Sequence, residues 1–274
     1  MTALFMTVLW TIYWSAVVFV FGLCIGSFLN VCIYRIPREK SVSWPPSACP
    51  ECGVRIRSFD NIPLLSWLLL RGKCRSCKTP ISIGYPLIEL LTGLFFLTIW
   101  HIYGICWITP IYMLAVFGLL LGTFIDLQEM WLPDRVTIGG MIIFPLLSMA
   151  VPELHDAAGW YAGLKASLVG LAAGFGVFWM IREIGTAVLK KEAMGFGDVK
   201  LMGALGALFG WQAVIYITFF SALAGAAVGV GLILMKKKEL SSQIPYGPYI
   251  ALAAFSWLLG GFHLWAAYLA LMGF

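Results

Sequence analysis

Long apolar runs, separated by short polar and charged segments, repeat along this 274-residue chain. They fall at about 8–34, 86–103, 110–126, 136–151, 161–181, 198–212, 213–235 and 248–272. Roughly 20 apolar residues suffice for a helix to cross the hydrocarbon core of a bilayer. The pattern therefore predicts an all-α polytopic membrane bundle of about eight transmembrane helices. The glycine-rich stretch 199–208 is short, and its boundary with the next run near Gly210 to Gln212 is the weakest of the set. If those two runs form one helix, seven remain. The N-terminus, MTALFMTVLW, has neither a basic n-region nor a small-residue cleavage site, so the first run is expected to be a retained helix.

Charge orients the bundle. Arg35, Arg38, Lys40, Arg55, Arg57, Arg71, Lys73, Arg75 and Lys78 lie between the first two runs. Arg135 follows the third run, Arg182, Lys190, Lys191 and Lys200 flank the fifth loop, and Lys236, Lys237 and Lys238 open the seventh. Seventeen of 18 basic residues thus occupy alternate loops, with Lys165 the exception. Cytoplasmic loops hold the excess of Lys and Arg, which puts loops 35–85, 127–135, 182–198 and 236–247 inside and both termini outside. The net charge of +5 is explained by this topology and requires no nucleic-acid partner. Composition agrees: 61% of residues are hydrophobic and 11% charged, with a mean hydropathy of +0.92. Trp10, Trp14, Trp100 and Trp131, near helix ends, suit an interfacial belt.

The expected organisation is a first transmembrane helix (8–34), a cytoplasmic loop domain (35–85) and a membrane-embedded bundle (86–274). The loop carries Cys49-Pro-Glu-Cys52 and Cys74-Arg-Ser-Cys77, two C-x2-C knuckles at a spacing that fits a four-cysteine structural zinc site. A pair of disulfides or four unrelated thiols are the competing readings, and a reducing cytoplasm disfavours disulfides. Four sulfur ligands leave no open position, so such a metal would hold shape and not catalyse. Cys24, Cys32 and Cys106 are expected to be buried bystanders in or beside apolar helices. The apolar patch 62–70 between the knuckles would serve as the small core of the zinc domain, as an interfacial surface, or as both.

Two aspartates stand at the ends of apolar runs: Asp126 in FIDLQEMWLPD and Asp198 in MGFGDVK. Carboxylates at a membrane segment are costly to keep, so they read as functional, and the topology puts both at the cytoplasmic boundary. Two carboxylates within hydrogen-bond reach share a proton, the charged one activating water and the protonated one donating to a carbonyl oxygen. Gly195 and Gly197 permit the close approaches such a site requires, although G-x-G-D equally suits a helix N-cap with Asp198 at the start. Glu129 and Asp134 read as solvated or capping acids. A proton-coupled transporter would also place acids in membrane helices, but near the midplane and within inverted repeats, which this chain does not display.

At these residues the sequence closely resembles the bacterial type IV prepilin peptidases, a G-x-G-D class of membrane aspartic protease. The match runs through GSFLNVCIYRIP (26–37), both knuckles, DNIPLLSWLLLRGKC (60–74), YPLIELLTG (85–93), IDLQEMWLPD (125–134), MGFGDVKLMGALGALFG (194–210) and IPYGPYIALA (244–253). The resemblance implies a multi-pass protein of the bacterial inner membrane in which Asp126 and Asp198 are catalytic. Its substrates would be prepilins or pseudopilins, cut after a glycine at the cytoplasmic face. It further implies N-methylation of the new terminus, commonly phenylalanine, with S-adenosylmethionine. A presenilin-like protease of broader specificity is the nearest alternative. Gly84 stands where the family often carries arginine, a departure that touches neither proposed active-site acid nor the zinc ligands. No glycine-rich strand-to-helix turn is present for the methyl donor, and Glu89, near the cytoplasmic face, is the candidate contact for that cofactor or for the substrate's ammonium, with a structural role in the bundle equally open.

Overall fold

The computed structural model describes residues 2–235 and 245–273. The described residues are helical apart from loops and two isolated bridges, as the apolar pattern requires. Two compact units divide the chain, Met1–Phe117 and Gly118–Phe274.

The first unit contains α1 (Thr2–Arg35), the short α2 (Leu65–Leu69), α3 (Gly84–Tyr103) and the start of α4 (Ile108–Glu129). α1 and α3 run antiparallel in close contact. A Cβ on Gly22 would stand 2.8 Å from the Gly93 Cα, and one on Gly26 would stand 2.7 Å from the Glu89 Cα. Small residues four apart let two membrane helices meet backbone to backbone, where dispersion contacts replace the hydrophobic drive that lipid cannot supply. Between these helices the two knuckles fold alike. Cys49 N–H bonds the Val54 carbonyl and Gly53 N–H the Cys49 carbonyl; Cys74 N–H bonds the Thr79 carbonyl and Lys78 N–H the Cys74 carbonyl. Each turn closes through a residue with positive φ, Gly53 at 69° and Lys78 at 61°. The patch 62–70 is largely surface: Leu65, Leu68 and Leu69 are exposed, while Trp67 donates its Nε1–H to the Ile81 carbonyl at 3.1 Å. The core reading therefore fails for those leucines, whose own helix is too short to bury them.

The second unit contains the rest of α4, then α5 (Asp134–Ala150), α6 (Trp160–Leu189), α7 (Phe196–Phe209), α8 (Trp211–Leu234), α9 (Gly247–Ser256) and α10 (Phe262–Leu271). α7 is its centre, buried from Asp198 to Phe209 except at Lys200. It lies antiparallel to α6 at glycine contacts so close that a Cβ on Gly170 would run into the Gly206 carbonyl, and one on Gly174 into that of Met202. The apolar run expected at 248–272 is broken: a wide turn spans Trp257–Gly261, with Gly260 at φ 125°. Two consecutive glycines there allow what a side chain would resist.

Among the described residues, six helices are long and apolar enough to cross a membrane, making this a multi-pass membrane protein. α5, with 17 residues, and α7, with 14, are shorter than the other spans, and the count of eight is not established by length alone. Cys32 is buried as expected, but Cys24 lies on an exposed helix face and Cys106 in the exposed loop before α4, so neither is a core thiol. Lys236, Lys237 and Lys238, and Ile244 of the last sequence block, lie outside the described residues.

Candidate active site

Asp126 lies in the last turn of α4, and Asp198 is the third residue of α7. Both are buried, at 6% and 7% exposure, in helices whose neighbouring positions are apolar. Gly195 is the N-cap of α7 and its carbonyl accepts the Asp198 N–H at 3.2 Å; no side chain caps the helix. The capping role considered for Asp198 is thus filled by backbone, and its carboxylate is left for something else.

Four segments converge on the pair. Gly247, at the start of α9, donates its N–H to Asp126 Oδ2 at 3.0 Å. Leu132, in the turn between α4 and α5, packs against three glycines: a Cβ on Gly122, Gly197 or Gly247 would lie 3.2, 3.1 or 3.4 Å from its side chain. Gly197 is therefore needed for close packing on Leu132. Tyr246 hydrogen-bonds through its hydroxyl to Ser221 Oγ at 2.8 Å, and its ring lies 6.4 Å from that of Phe178. Asp126 and Tyr246 are both near enough to Asp198 for charge on one to act on the other. The two aspartates from distant positions thus share one buried neighbourhood. Among the described residues, no hydrogen bond or ion pair reaches the Asp198 carboxylate, whereas Asp126 has a fixed donor.

The other acids fall outside this cluster. Glu129 is exposed. Asp134 is the first residue of α5 and pairs with Lys200, the helix itself being preceded by Pro133 as its cap. Lys200 and Arg182 both stand over the ring of Phe196, at 5.5 and 5.6 Å. Tyr246, Gly247 and Leu132 had no assigned part at the level of sequence. Their only signal was membership of the blocks IPYGPYIALA and IDLQEMWLPD.

In the first unit, the sulfurs of Cys49, Cys52, Cys74 and Cys77 all lie within 4.8 Å of one another, and Cys49 and Cys77 are 3.7 Å apart. Tetrahedral zinc with 2.3 Å bonds to sulfur needs separations of about 3.8 Å, so the cluster can hold a metal ion. The Thr79 hydroxyl, 3.2 Å from Cys77 Sγ, pulls that thiol down to about 6, toward the thiolate a metal requires. Glu89 is buried near the start of α3 and accepts the Leu64 N–H at 2.8 Å, tying the loop to the helix.

Residues 20–103 match the bacterial peptidase A24 N-terminal domain, and residues 113–230 match the type IV leader peptidase family. The prepilin leader peptidase/N-methyltransferase of Aeromonas hydrophila is 40% identical over 91% of this chain and 91% of its own length. Proteins of the same name from Stutzerimonas stutzeri and Pseudomonas aeruginosa are 37% and 36% identical over similar shares. No solved structure matches the chain.

Proposed function

Because the chain belongs to the type IV leader peptidase family, we propose that it removes the basic leader from type IV prepilins or type II secretion pseudopilins and then N-methylates the new terminus. The relatives' names favour neither a transporter nor a presenilin-like protease of broader specificity. The observation that carries the peptidase chemistry is the unequal pair of buried aspartates. An N–H donor favours a charged carboxylate, so Asp126, held by Gly247, is assigned as the base that takes a proton from water. Asp198, without such a donor among the described residues, carries the shared proton and gives it to the carbonyl oxygen of the scissile peptide. Water adds to that carbonyl carbon to form a tetrahedral diol. Collapse then expels the amine of the mature protein, which takes a proton as it leaves. Leu132, packed on three glycines, places an apolar side chain beside the pair.

Orientation follows from the basic loops: the aspartates lie at the cytoplasmic face of the bacterial inner membrane, where a basic leader is retained while its hydrophobic segment stays in the bilayer. Changing Asp126 or Asp198 singly to Asn is expected to lower prepilin cleavage at least about 10³-fold, since each has a separate part in proton transfer. Cleavage at wild-type rate by either variant in membranes would overturn the assignment. Gly195 and Gly197 support the pair, the first as the N-cap of α7 and the second by admitting Leu132.

Cys49, Cys52, Cys74 and Cys77 are proposed to hold one structural zinc that shapes the loop. Metal analysis of the purified chain should find about one zinc per molecule; a folded chain without it would refute this. The methyl donor would be S-adenosylmethionine, which when bound would supply an electrophilic methyl group to the new terminal amine and leave as the neutral thioether.

A further inference from the structure

A cavity of about 630 Å³ lies wholly within the first unit, between the end of α1, the start of α3 and both knuckles. It is within the range of small-molecule sites, roughly 300–1,000 Å³. Its walls carry both charge signs and aromatic surface: Asn30, Tyr34, Arg55, Arg57, Tyr85 and Glu89 all line it.

The two acids on its wall differ. Asp60 is gripped by Arg75, whose Nε and Nη2 lie 2.8 and 2.6 Å from its oxygens, and this guanidinium holds the carboxyl below the usual carboxylate range. Glu89 is 9% exposed, yet it accepts only from neutral donors, the Leu64 N–H at 2.8 Å and the Ser27 hydroxyl. Among the described residues no cation pairs with it. Buried carboxylates ordinarily have an opposite charge, and the empty volume beside this one is where such a charge could come from outside the chain.

We propose that this cavity binds S-adenosylmethionine, with Glu89 facing the positive sulfonium and ammonium groups. Arg55 and Arg57 face its carboxylate. Tyr34 and Tyr85 offer aromatic surface to the adenine, and Asn30, whose amide N–H already holds the Tyr85 carbonyl at 3.0 Å, offers its oxygen as an acceptor. S-adenosylmethionine combines two cationic centres, an anion and a flat heterocycle, and its size suits this volume. The inference rests on the N-methyltransferase reading above, and binding can be measured apart from any turnover.

The test is equilibrium binding of radiolabelled S-adenosylmethionine to the purified full-length chain, followed by ultraviolet crosslinking and peptide mapping. Wild type is expected to bind, with crosslinks within residues 27–89. Glu89→Gln should raise Kd about thirty-fold or more, because a buried charge pair is lost. Glutamine keeps an oxygen for the Leu64 N–H, so the loop contact survives, and crosslinking of wild type decides the matter even if the variant does not fold. No binding to wild type overturns the methyltransferase reading and this site with it. Binding with unchanged affinity in Glu89→Gln, or with crosslinks confined to 118–274, overturns the cavity assignment alone.

Discussion

A methyl group on Gly247 would stand 2.7 Å from Asp126 Oδ2 and 3.4 Å from Leu132. Gly247→Ala is therefore expected to push the carboxylate off its N–H donor and lower kcat/KM for leader cleavage by about 10²-fold, since small displacements of a positioned group cost that much. The change should appear in kcat with little loss of folded protein; an unchanged rate would separate Gly247 from the chemistry. Asp126, Asp198 and the four cysteines were legible in the sequence for one reason: polar or sulfur side chains in an apolar chain, or at C-x2-C spacing, are costly or distinctive there. Gly247 was not legible as a partner of Asp126, because its contribution is a backbone N–H, which every residue except proline has. Leu132 was equally hidden, one apolar residue among many until its three glycine contacts are seen.

The helices were legible as apolar runs, and α1, α3, α4 and α6 fall where hydropathy puts them. Their partners were not, because nearly uniform hydrophobicity leaves no polar stripe to point at a neighbour. Contact is instead selected by glycine. Gly206→Leu should block the approach of α6 to α7 and destabilise the unit by about 3 kcal/mol, the upper end of what overpacking costs. Gly176→Ala, on the same α6 but with open space around its Cβ, should be neutral or slightly stabilising, by up to about 1 kcal/mol. Thermal unfolding in detergent distinguishes the two, and equal effects of both changes would mean that the close backbone approach at Gly206 does not set the stability of the unit. The break at Trp257–Gly261 could not be seen in hydropathy either, since glycine barely interrupts an apolar average.

Within the second unit, the aspartate cluster restricts how the chain crosses the bilayer. Asp126 ends α4 and Asp198 begins α7, so α5 and α6 together must leave one face and return to it. α6, with 30 residues, crosses outright. α5 must then cross as well, although its 17 residues reach only about 26 Å. Alternation of the basic loops requires the same. Reporter fusions after residues 159 and 194 should accordingly report opposite faces, outside and inside, and agreement between them would break this topology. The burial of α7 has a further consequence for how the protein is made. Its 14 residues span about 21 Å, and one residue, Gly210, separates it from α8. A nascent chain that has emerged only as far as this turn has no helix long enough to hold α7 across the bilayer. α7 should enter only as α8 follows, so a fusion at 210 reports inside and one after 234 reports a completed hairpin. The aspartate pair proposed to carry proteolysis would then assemble late in synthesis, after the flanking helices are already anchored, leaving the growing chain catalytically silent until α7 and α8 are inserted.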